Sequence, residues 1–316
     1  MQPSEIPELM ASVRAAVHRA VVGRETVVDR IATALLADGH ILLEDLPGLG
    51  KTLLANSFAR ALGLQFGRIQ FTADLLPQDL TGGELYDAKE GLFRFRPGPI
   101  FAHLLLADEI NRAPPKVQSA LLEAMQEFQV TSPGGSHPLA RPFLVVATQN
   151  PIELEGTYPL PEAQVDRFLV RLAVGYPTAA EEALVLRRRR ERREDRAEVP
   201  AVLDVDRFRQ MQLAVESVEV DAGLEAYIVG IVAATRTDPR TEVGASPRGA
   251  LALQKLARAR ALLAGRDYAV PDDVKEFAEA ALAHRIVVRP EPWIRGIRGD
   301  RIVASAVEKT PVPKVR

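Results

Sequence analysis

Cysteine is absent from this chain of 316 residues. Disulfides, thiolate metal ligands and cysteine nucleophiles are therefore excluded, and the absence fits a reducing compartment. Long apolar runs are missing too: the stretch 100–107 is among the longest, whereas a membrane-spanning helix needs about 20 apolar residues. The amino terminus also lacks the basic segment and apolar run of a secretory signal. We therefore expect a cytoplasmic protein without a membrane span.

An excess of either charge is also lacking, because 40 Lys and Arg residues stand against 42 Asp and Glu residues. Nucleic-acid-binding proteins usually carry a basic excess, so we expect no nucleic-acid partner. The strongest basic run, residues 187–193, has acidic neighbours, which favours a solvated helix face. The five histidines are scattered without an i, i+4 pair, so no histidine metal site is indicated.

The length and composition, with 47% hydrophobic and 26% charged residues, predict two domains. Apolar residues at three- and four-residue spacing predict a helix over 4–22, and a second helix is predicted over 25–37. Short apolar strands are predicted over 40–44, 65–71, 102–107, 143–148 and 168–174. Because these strands alternate with helices, we predict an α/β fold with three layers around a mostly parallel sheet.

Two stretches rich in Gly and Pro, 82–99 and 129–142, interrupt this alternation and predict hairpin insertions. Beyond residue 177 the pattern becomes helical, with helices predicted over 179–194, 206–216, 222–235, 247–264 and 271–284. The sequence therefore predicts an α/β core over 1–177 and an all-helical domain over 178–288. The remaining residues, 289–316, are rich in Pro, Gly and Arg and lack periodicity, which predicts a partly ordered tail.

The first candidate functional segment is the loop 45–52, which follows a predicted strand and precedes an apolar helix. This order of strand, glycine-containing loop and helix is the setting of a phosphate-binding loop. Gly48 and Gly50 would allow backbone N–H groups to wrap around phosphate at the positive end of the helix. Lys51 would contact the β- and γ-phosphates of ATP, and Thr52 would ligate Mg²⁺.

One position departs from the pattern G-x-x-x-x-G-K-[ST], because Asp45 stands where glycine is usual. The alternative to a phosphate-binding loop is therefore a glycine-rich β-to-α turn with a coincidental Lys-Thr pair. A second signal favours the nucleotide site: the apolar run 104–107 ends in Asp108 and Glu109. Packing gives a strand no reason to end in paired carboxylates, since burying either one uncompensated is costly. Asp108 would hold Mg²⁺, and Glu109 would orient and activate the attacking water.

Three stretches carry a resemblance to a known family: DEINRAPPKVQSALLEAMQE (108–127), ATQNP (147–151) and EGTYPLPEAQVDRF (155–168). In them the chain resembles the MoxR family of AAA+ ATPases, and the match extends over residues 22–284. The resemblance implies a P-loop core of the ASCE type with strand order 5-1-4-3-2, followed by a helical lid domain. It also implies an insert in helix 2 at 82–99 and a hairpin before the sensor strand at 129–142.

The same resemblance implies further site residues. Asn150 matches sensor 1, which helps to position the water and reads the γ-phosphate. Arg167 matches the arginine finger, which reaches the ATP of a neighbouring subunit. Arg248 matches sensor 2, which ties the lid to the nucleotide state, and a cation at a helix start is otherwise unfavourable. The expected nucleotide-binding residues are Val22, Gly23, Pro47, Gly48, Leu49, Gly50, Lys51, Thr52 and Leu53, with Val22 and Gly23 against adenine.

A site completed by a neighbour's Arg167 implies a homo-oligomer, and a hexameric ring is expected. The resemblance implies Mg²⁺-dependent ATP hydrolysis by a chaperone that remodels or matures partner proteins, among them partners with a von Willebrand factor A domain. Three alternatives remain: a nucleic-acid motor of related AAA+ type, a chelatase-like motor subunit, and a nucleotide-gated scaffold with little turnover. The balanced charge argues against the first, and Glu109 argues against the scaffold, which needs no catalytic carboxylate.

Overall fold

The computed structural model describes residues 3–89, 91–132, 134–151, 156–195 and 197–313. Within these ranges the strands are β1 (Ile41–Glu44), β2 (Phe66–Gln70), β3 (Gly82–Asp87), β4 (Leu92–Pro97), β5 (Leu104–Asp108), β6 (Gln129–Ser132), β7 (Gly135–Pro138), β8 (Leu144–Gln149), β9 (Val170–Leu172), β10 (Thr241–Val243) and β11 (Val287–Val288). The α-helices there are α1 (Ile6–Val17), α2 (Glu25–Leu36), α3 (Lys51–Ala61), α4 (Pro77–Thr81), α5 (Pro115–Glu127), α6 (Glu162–Val165), α7 (Ala179–Arg192), α8 (Val205–Val215), α9 (Ala222–Thr237), α10 (Pro247–Leu263), α11 (Pro271–Leu282), α12 (Pro290–Ile294) and α13 (Gly299–Lys309). None of the helices in this part of the chain is long and apolar enough to cross a bilayer.

The core is built on a parallel five-stranded sheet in the order β2-β5-β8-β1-β9. Numbered in chain order, these five strands give 5-1-4-3-2, so the expected order is confirmed. Alternate residues of each strand face opposite layers. Leu43 and Leu104 pack with α1, α2 and α3, whereas Leu42 and Leu105 pack with α5. The three-layer α/β fold is therefore confirmed as well.

Both hairpin insertions are present. The antiparallel pair β3–β4 spans residues 82–97, and the pair β6–β7 spans 129–138. The rings of Phe95 and His137 stack with centroids 3.6 Å apart, so the two hairpins contact each other. The β3–β4 hairpin exposes Leu85, Tyr86, Leu92 and Phe93.

The carboxyl-terminal domain is helical, with one addition that the sequence pattern did not predict. The short strands β10 and β11 pair antiparallel through Thr241 and Val288. The helices α8, α10 and α11 share one apolar cluster with α1 and α2, so the helical domain packs directly on the core.

The prediction of a partly ordered tail from residue 289 was wrong. Helices α12 and α13 occupy Pro290–Ile294 and Gly299–Lys309, and α13 buries Ile302, Val303 and Ala306 against the helical domain. The Pro and Gly residues that suggested a tail have positional roles. Pro290 begins α12, where its missing N–H costs nothing. Gly299 begins α13 with its Cα against the carbonyl oxygen of Ala283, where a side chain would not fit.

Candidate functional site

The loop 45–50 connects the carboxyl end of β1 to α3, which begins at Lys51. Gly48 and Gly50 have φ values of +83° and +81°, a backbone conformation that favours glycine. The first N–H groups of α3 have no partner within the helix and point back towards this loop. The sequence therefore folds locally into the strand, glycine-containing loop and helix that its motif predicts.

Lys51 lies folded over its own loop. Its Nζ donates hydrogen bonds to the carbonyl oxygens of Asp45 and Leu46. Partial burial lowers the pKa of Lys51, and the nearby carboxylates Asp45, Asp108 and Glu109 oppose that shift. Because its partners are neutral carbonyls, this ammonium can exchange them for phosphate oxygens without breaking an ion pair.

Asp45, the residue that departs from the motif, ties the loop to the start of the helical domain. Its Oδ1 accepts from the N–H of Leu46 at 2.8 Å, and its Oδ2 accepts from the N–H of Gly175 at 2.6 Å. Arg24 donates to the carbonyl oxygens of Leu49 at 2.9 Å and Gly175 at 3.2 Å. Gly175 lies between β9 and α7, so Asp45 and Arg24 join the phosphate loop to the segment that leads into the helical domain.

Asp108 ends β5 beside Thr52, with 3.5 Å between its Oδ2 and the Thr52 Oγ1. Its Oδ1 accepts from Thr148 Oγ1 at 2.7 Å, and its Oδ2 accepts from Arg68 Nη2 at 2.8 Å. A hydroxyl and a carboxylate are the hard oxygen ligands that Mg²⁺ prefers, with waters and substrate phosphates supplying the rest. The residues therefore fit Mg²⁺. Among the described residues no group of three His, Cys, Asp or Glu forms a separate metal site.

Glu109 follows Asp108 in a left-handed backbone conformation, with φ +56°. Such a conformation costs a non-glycine residue about 1 kcal/mol or more, and strain of this kind clusters at active sites and switch regions. The Glu109 Oε2 accepts from Gln70 Nε2 at 2.8 Å and from Arg112 Nη1 at 2.9 Å. The Glu109 N–H donates to Thr148 Oγ1 at 2.8 Å, so Thr148 bridges the two acidic residues.

Sequence reasoning did not single out Arg68, Gln70 or Thr148 as site residues. Arg68 and Gln70 are two residues apart on β2, so their side chains lie on the same face of the sheet. Because β2 lies next to β5, both side chains reach the acidic residues at the end of β5. Two long polar residues at i and i+2 in an otherwise apolar strand were the available signal. Thr148 gave no signal beyond its place at the end of an apolar run.

A cavity of about 510 Å³ lies beside the loop, a size suited to a nucleotide. Its wall includes six of the predicted nucleotide-binding residues, namely Val22, Pro47, Gly48, Leu49, Gly50 and Leu53. Tyr176, Val185 and Leu186 close the side that faces the helical domain. Gly23 is outside this wall: it has φ +66° and packs against the carboxylate of Glu181 in α7.

Asn150 directly follows β8 and is buried. Gln149, the last residue of β8, is in register with Glu44 at the end of β1. Since the carboxyl ends of parallel strands meet at one edge of a sheet, Asn150 shares that edge with the phosphate loop and Asp108.

Arg167 and Arg248 lie at the opposite edge of the sheet. Arg167 precedes β9, which runs parallel to β1, and its Nη1 donates to the Leu122 carbonyl oxygen at 2.5 Å. Arg248, in the first turn of α10, pairs with Asp166, with 3.6 Å between Nη1 and Oδ2. The structure thus brings Arg248 together with Arg167 and does not bring either to the phosphate loop of the same chain.

Asp166 joins the Arg167 segment to the helical domain. Its Oδ1 accepts from Arg285 Nε at 2.8 Å, and its Oδ2 accepts from Ser246 Oγ at 3.1 Å. The Arg285 side chain is only 3% exposed, and it also donates to the carbonyl oxygens of Asp166 at 3.0 Å and Phe168 at 2.8 Å. Burial lowers the pKa of Arg285, and the charge of Asp166 opposes that shift.

Comparison with known proteins gives two family matches. The model described as "ATPase family associated with various cellular activities (AAA)" matches residues 40–170, and the AAA lid domain matches residues 233–306. Curated proteins match over nearly the whole chain, among them one from Bacillus subtilis and one from Mycobacterium tuberculosis. Uncharacterized protein YeaC of Bacillus subtilis is 48% identical over 95% of this chain and 93% of its own length. Chaperone MoxR1 of Mycobacterium tuberculosis is 42% identical over 95% of this chain and 81% of its own length.

The fold also matches a solved structure. The crystal structure of a candidate ATPase from Cytophaga hutchinsonii is similar with a TM-score of 0.91 at 40% sequence identity. The match covers 99% of this chain and 97% of that one, so it includes the core, both hairpins and the helical domain.

Proposed function

The chain belongs to the MoxR family of AAA ATPases and is an ATPase with a lid domain; from that premise we propose that it hydrolyses ATP with Mg²⁺ at sites completed between neighbouring subunits of a hexameric ring. The hydrolysis drives changes in lid position that remodel or mature a partner protein. The position of Arg167 and Arg248 relative to the phosphate loop carries this proposal.

The two halves of the site lie at opposite edges of one sheet. The phosphate loop and the acidic residues follow the carboxyl ends of the strands, and Arg167 precedes the amino end of β9. With about 3.3 Å of rise per residue, β1 with four residues and β8 with six separate these edges by roughly 13 to 20 Å. An arginine side chain does not span that distance. Arg167 therefore meets a γ-phosphate only in another copy of the chain, and such head-to-tail contacts close into rings.

Each residue at the phosphate-loop edge has a role in this proposal. Lys51 exchanges its carbonyl partners for the β- and γ-phosphates, and Thr52 and Asp108 hold the metal. Mg²⁺ supplies charge neutralisation on the phosphates. Glu109 orients the attacking water and accepts its proton, while Asn150 positions that water from the end of β8.

The neighbouring subunit supplies Arg167 and Arg248, which lie away from the phosphate loop of their own chain. Arg167 stabilises the charge that spreads over the transferring phosphoryl group. Arg248 pairs with Asp166, the residue before Arg167, so Arg248 acts together with Arg167 at the shared site. Because Arg248 lies in the first turn of α10, the shared site responds to the position of that helix. Adenine occupies the apolar cavity lined by Val22, Tyr176 and the lid residue Leu186.

A protein client is supported by the name of one relative, which is a chaperone in Mycobacterium tuberculosis. A partner with a von Willebrand factor A domain and a cytoplasmic location are part of the proposal. The absence of cysteine supports that location. The Glu109→Gln variant, held with ATP, is the reagent for identifying the client by co-purification.

ATP turnover tests the proposal directly. Glu109→Gln should lower kcat at least 100-fold while ATP binding and assembly, followed by fluorescence and light scattering, remain. The matched control is Glu225→Gln, because Glu225 is an exposed residue of α9 away from the site. Equal turnover by the Glu109→Gln chain and the natural chain would refute the enzymatic role of Glu109.

A further inference from the structure

Arg68 is a cation in direct contact with the carboxylate that we assign to the metal. Its Nη2 lies 2.8 Å from Asp108 Oδ2, the same oxygen that lies 3.5 Å from Thr52 Oγ1. The Asp108 side chain is 12% exposed and the Arg68 side chain 49% exposed. The guanidinium therefore reaches in from solvent along β2 and neutralises a nearly buried carboxylate at the point where the metal-binding oxygens converge.

This contact is easily exchanged. An ion pair with one partner half exposed is worth little, because solvent competes for the guanidinium. Once Asp108 and Thr52 ligate Mg²⁺, the charge of Asp108 is satisfied and a guanidinium at the same oxygen is repelled. The same Nη2 also contacts Gln70 Oε1, at 3.2 Å, so Arg68 has a neighbouring polar partner as it leaves.

The released guanidinium has an anion within reach. Thr52 and Lys51 begin α3 at the position where the motif binds the β- and γ-phosphates, and Arg68 already lies at the Asp108 oxygen beside Thr52. Guanidinium groups bind phosphate oxygens with paired, charge-assisted hydrogen bonds. Arg248, another cation of the same chain, pairs with Asp166 at the other edge of the sheet.

We propose that Arg68 is a γ-phosphate-sensing residue of the chain's own nucleotide site: it pairs with Asp108 when nucleotide is absent and moves to the γ-phosphate when Asp108 carries the metal. The inference rests on the proposed function, since it requires that this site binds Mg-ATP. ADP has no γ-phosphate, so Arg68 gains no phosphate contact when ADP is bound. Arg68 therefore contributes to the preference for ATP over ADP.

The test measures the affinities of fluorescent ATP and ADP analogues with Mg²⁺ in a Glu109→Gln background, where hydrolysis does not interfere. In Arg68→Met the dissociation constant for ATP should rise 10- to 100-fold, the range expected for the loss of charge-assisted hydrogen bonds. The dissociation constant for ADP should change less than about threefold. The control Arg60→Met removes an exposed arginine from the other end of α3 and should change neither affinity.

A second variant guards against misfolding. Arg68→Lys keeps a cation for Asp108 but lacks the planar fork, so it should also lose ATP affinity selectively, by a smaller factor. If Arg68 only braces β2 against β5, both nucleotides weaken equally or neither does, and that result overturns the inference. If the Glu109→Gln parent binds neither nucleotide, the proposed function fails together with the inference, so the two failures are distinguishable.

Discussion

Neutralising Asp166 should destabilise the fold strongly, because Asp166 is the carboxylate partner of a buried guanidinium. Asp166→Asn keeps the shape of the side chain and removes only its charge. Removing one partner of a buried ion pair costs about 3–5 kcal/mol, since the other charge is left uncompensated. Arg285 keeps its hydrogen bonds to the carbonyl oxygens of Asp166, Phe168 and Ala281. We therefore expect the lower end, a loss of about 3 kcal/mol in the free energy of unfolding.

Urea denaturation followed by circular dichroism measures this loss. The matched control is Glu216→Gln, which removes the exposed ion pair with Arg258 and should cost less than about 1 kcal/mol. A double-mutant cycle with Arg285→Met should give a coupling energy of about 0.5–3 kcal/mol. If Asp166→Asn costs no more than Glu216→Gln, the buried pair does not hold the Arg167 segment to the lid, and the reasoning is refuted.

Two other predictions concern a buried histidine and the residue that departs from the motif. His40 accepts from the Val145 N–H at 3.1 Å, and burial lowers its pKa to about 4. Because its unfolded pKa is about 6.5, stability present at pH 7 is lost as the pH falls from 6.5 towards 4, by about 2 kcal/mol at pH 5. Urea midpoints measured as the pH falls across this range should decrease less steeply for His40→Gln than for the natural chain. An unchanged slope would contradict the lowered pKa of His40. Asp45→Gly restores the motif but deletes the hydrogen bond to Gly175, so fluorescent ATP should bind several-fold more weakly; tighter binding would contradict the role of Asp45.

The parts of the fold that were predictable from sequence are those encoded locally. The apolar run before Asp108 and the glycines around Lys51 each specify one strand or one turn, and the structure has both where the pattern indicates them. The strand order came from the family resemblance, because no local pattern specifies which strands are neighbours.

The features that were missed depend on contacts between residues distant in the sequence. Asp45 and Gly175 are 130 positions apart, and the Gly299 that marked a supposed tail is required by the close approach of Ala283. The position of Arg248 depends on how the lid packs on the core, through contacts that no single helix encodes. These residues become interpretable only when both partners are seen together.

A site completed between subunits is the central claim, and mixing two inactive variants tests it most directly. Glu109→Gln keeps its arginines but has no catalytic carboxylate, whereas Arg167→Ala keeps its phosphate-loop edge but supplies no arginine to its neighbour. Each variant alone should lack ATP turnover. Random assembly of an equal mixture should restore about a quarter of the natural activity, because one head-to-tail interface in four then joins an intact half of each kind. A mixture as inactive as its components, or full activity of Arg167→Ala alone, would contradict the account.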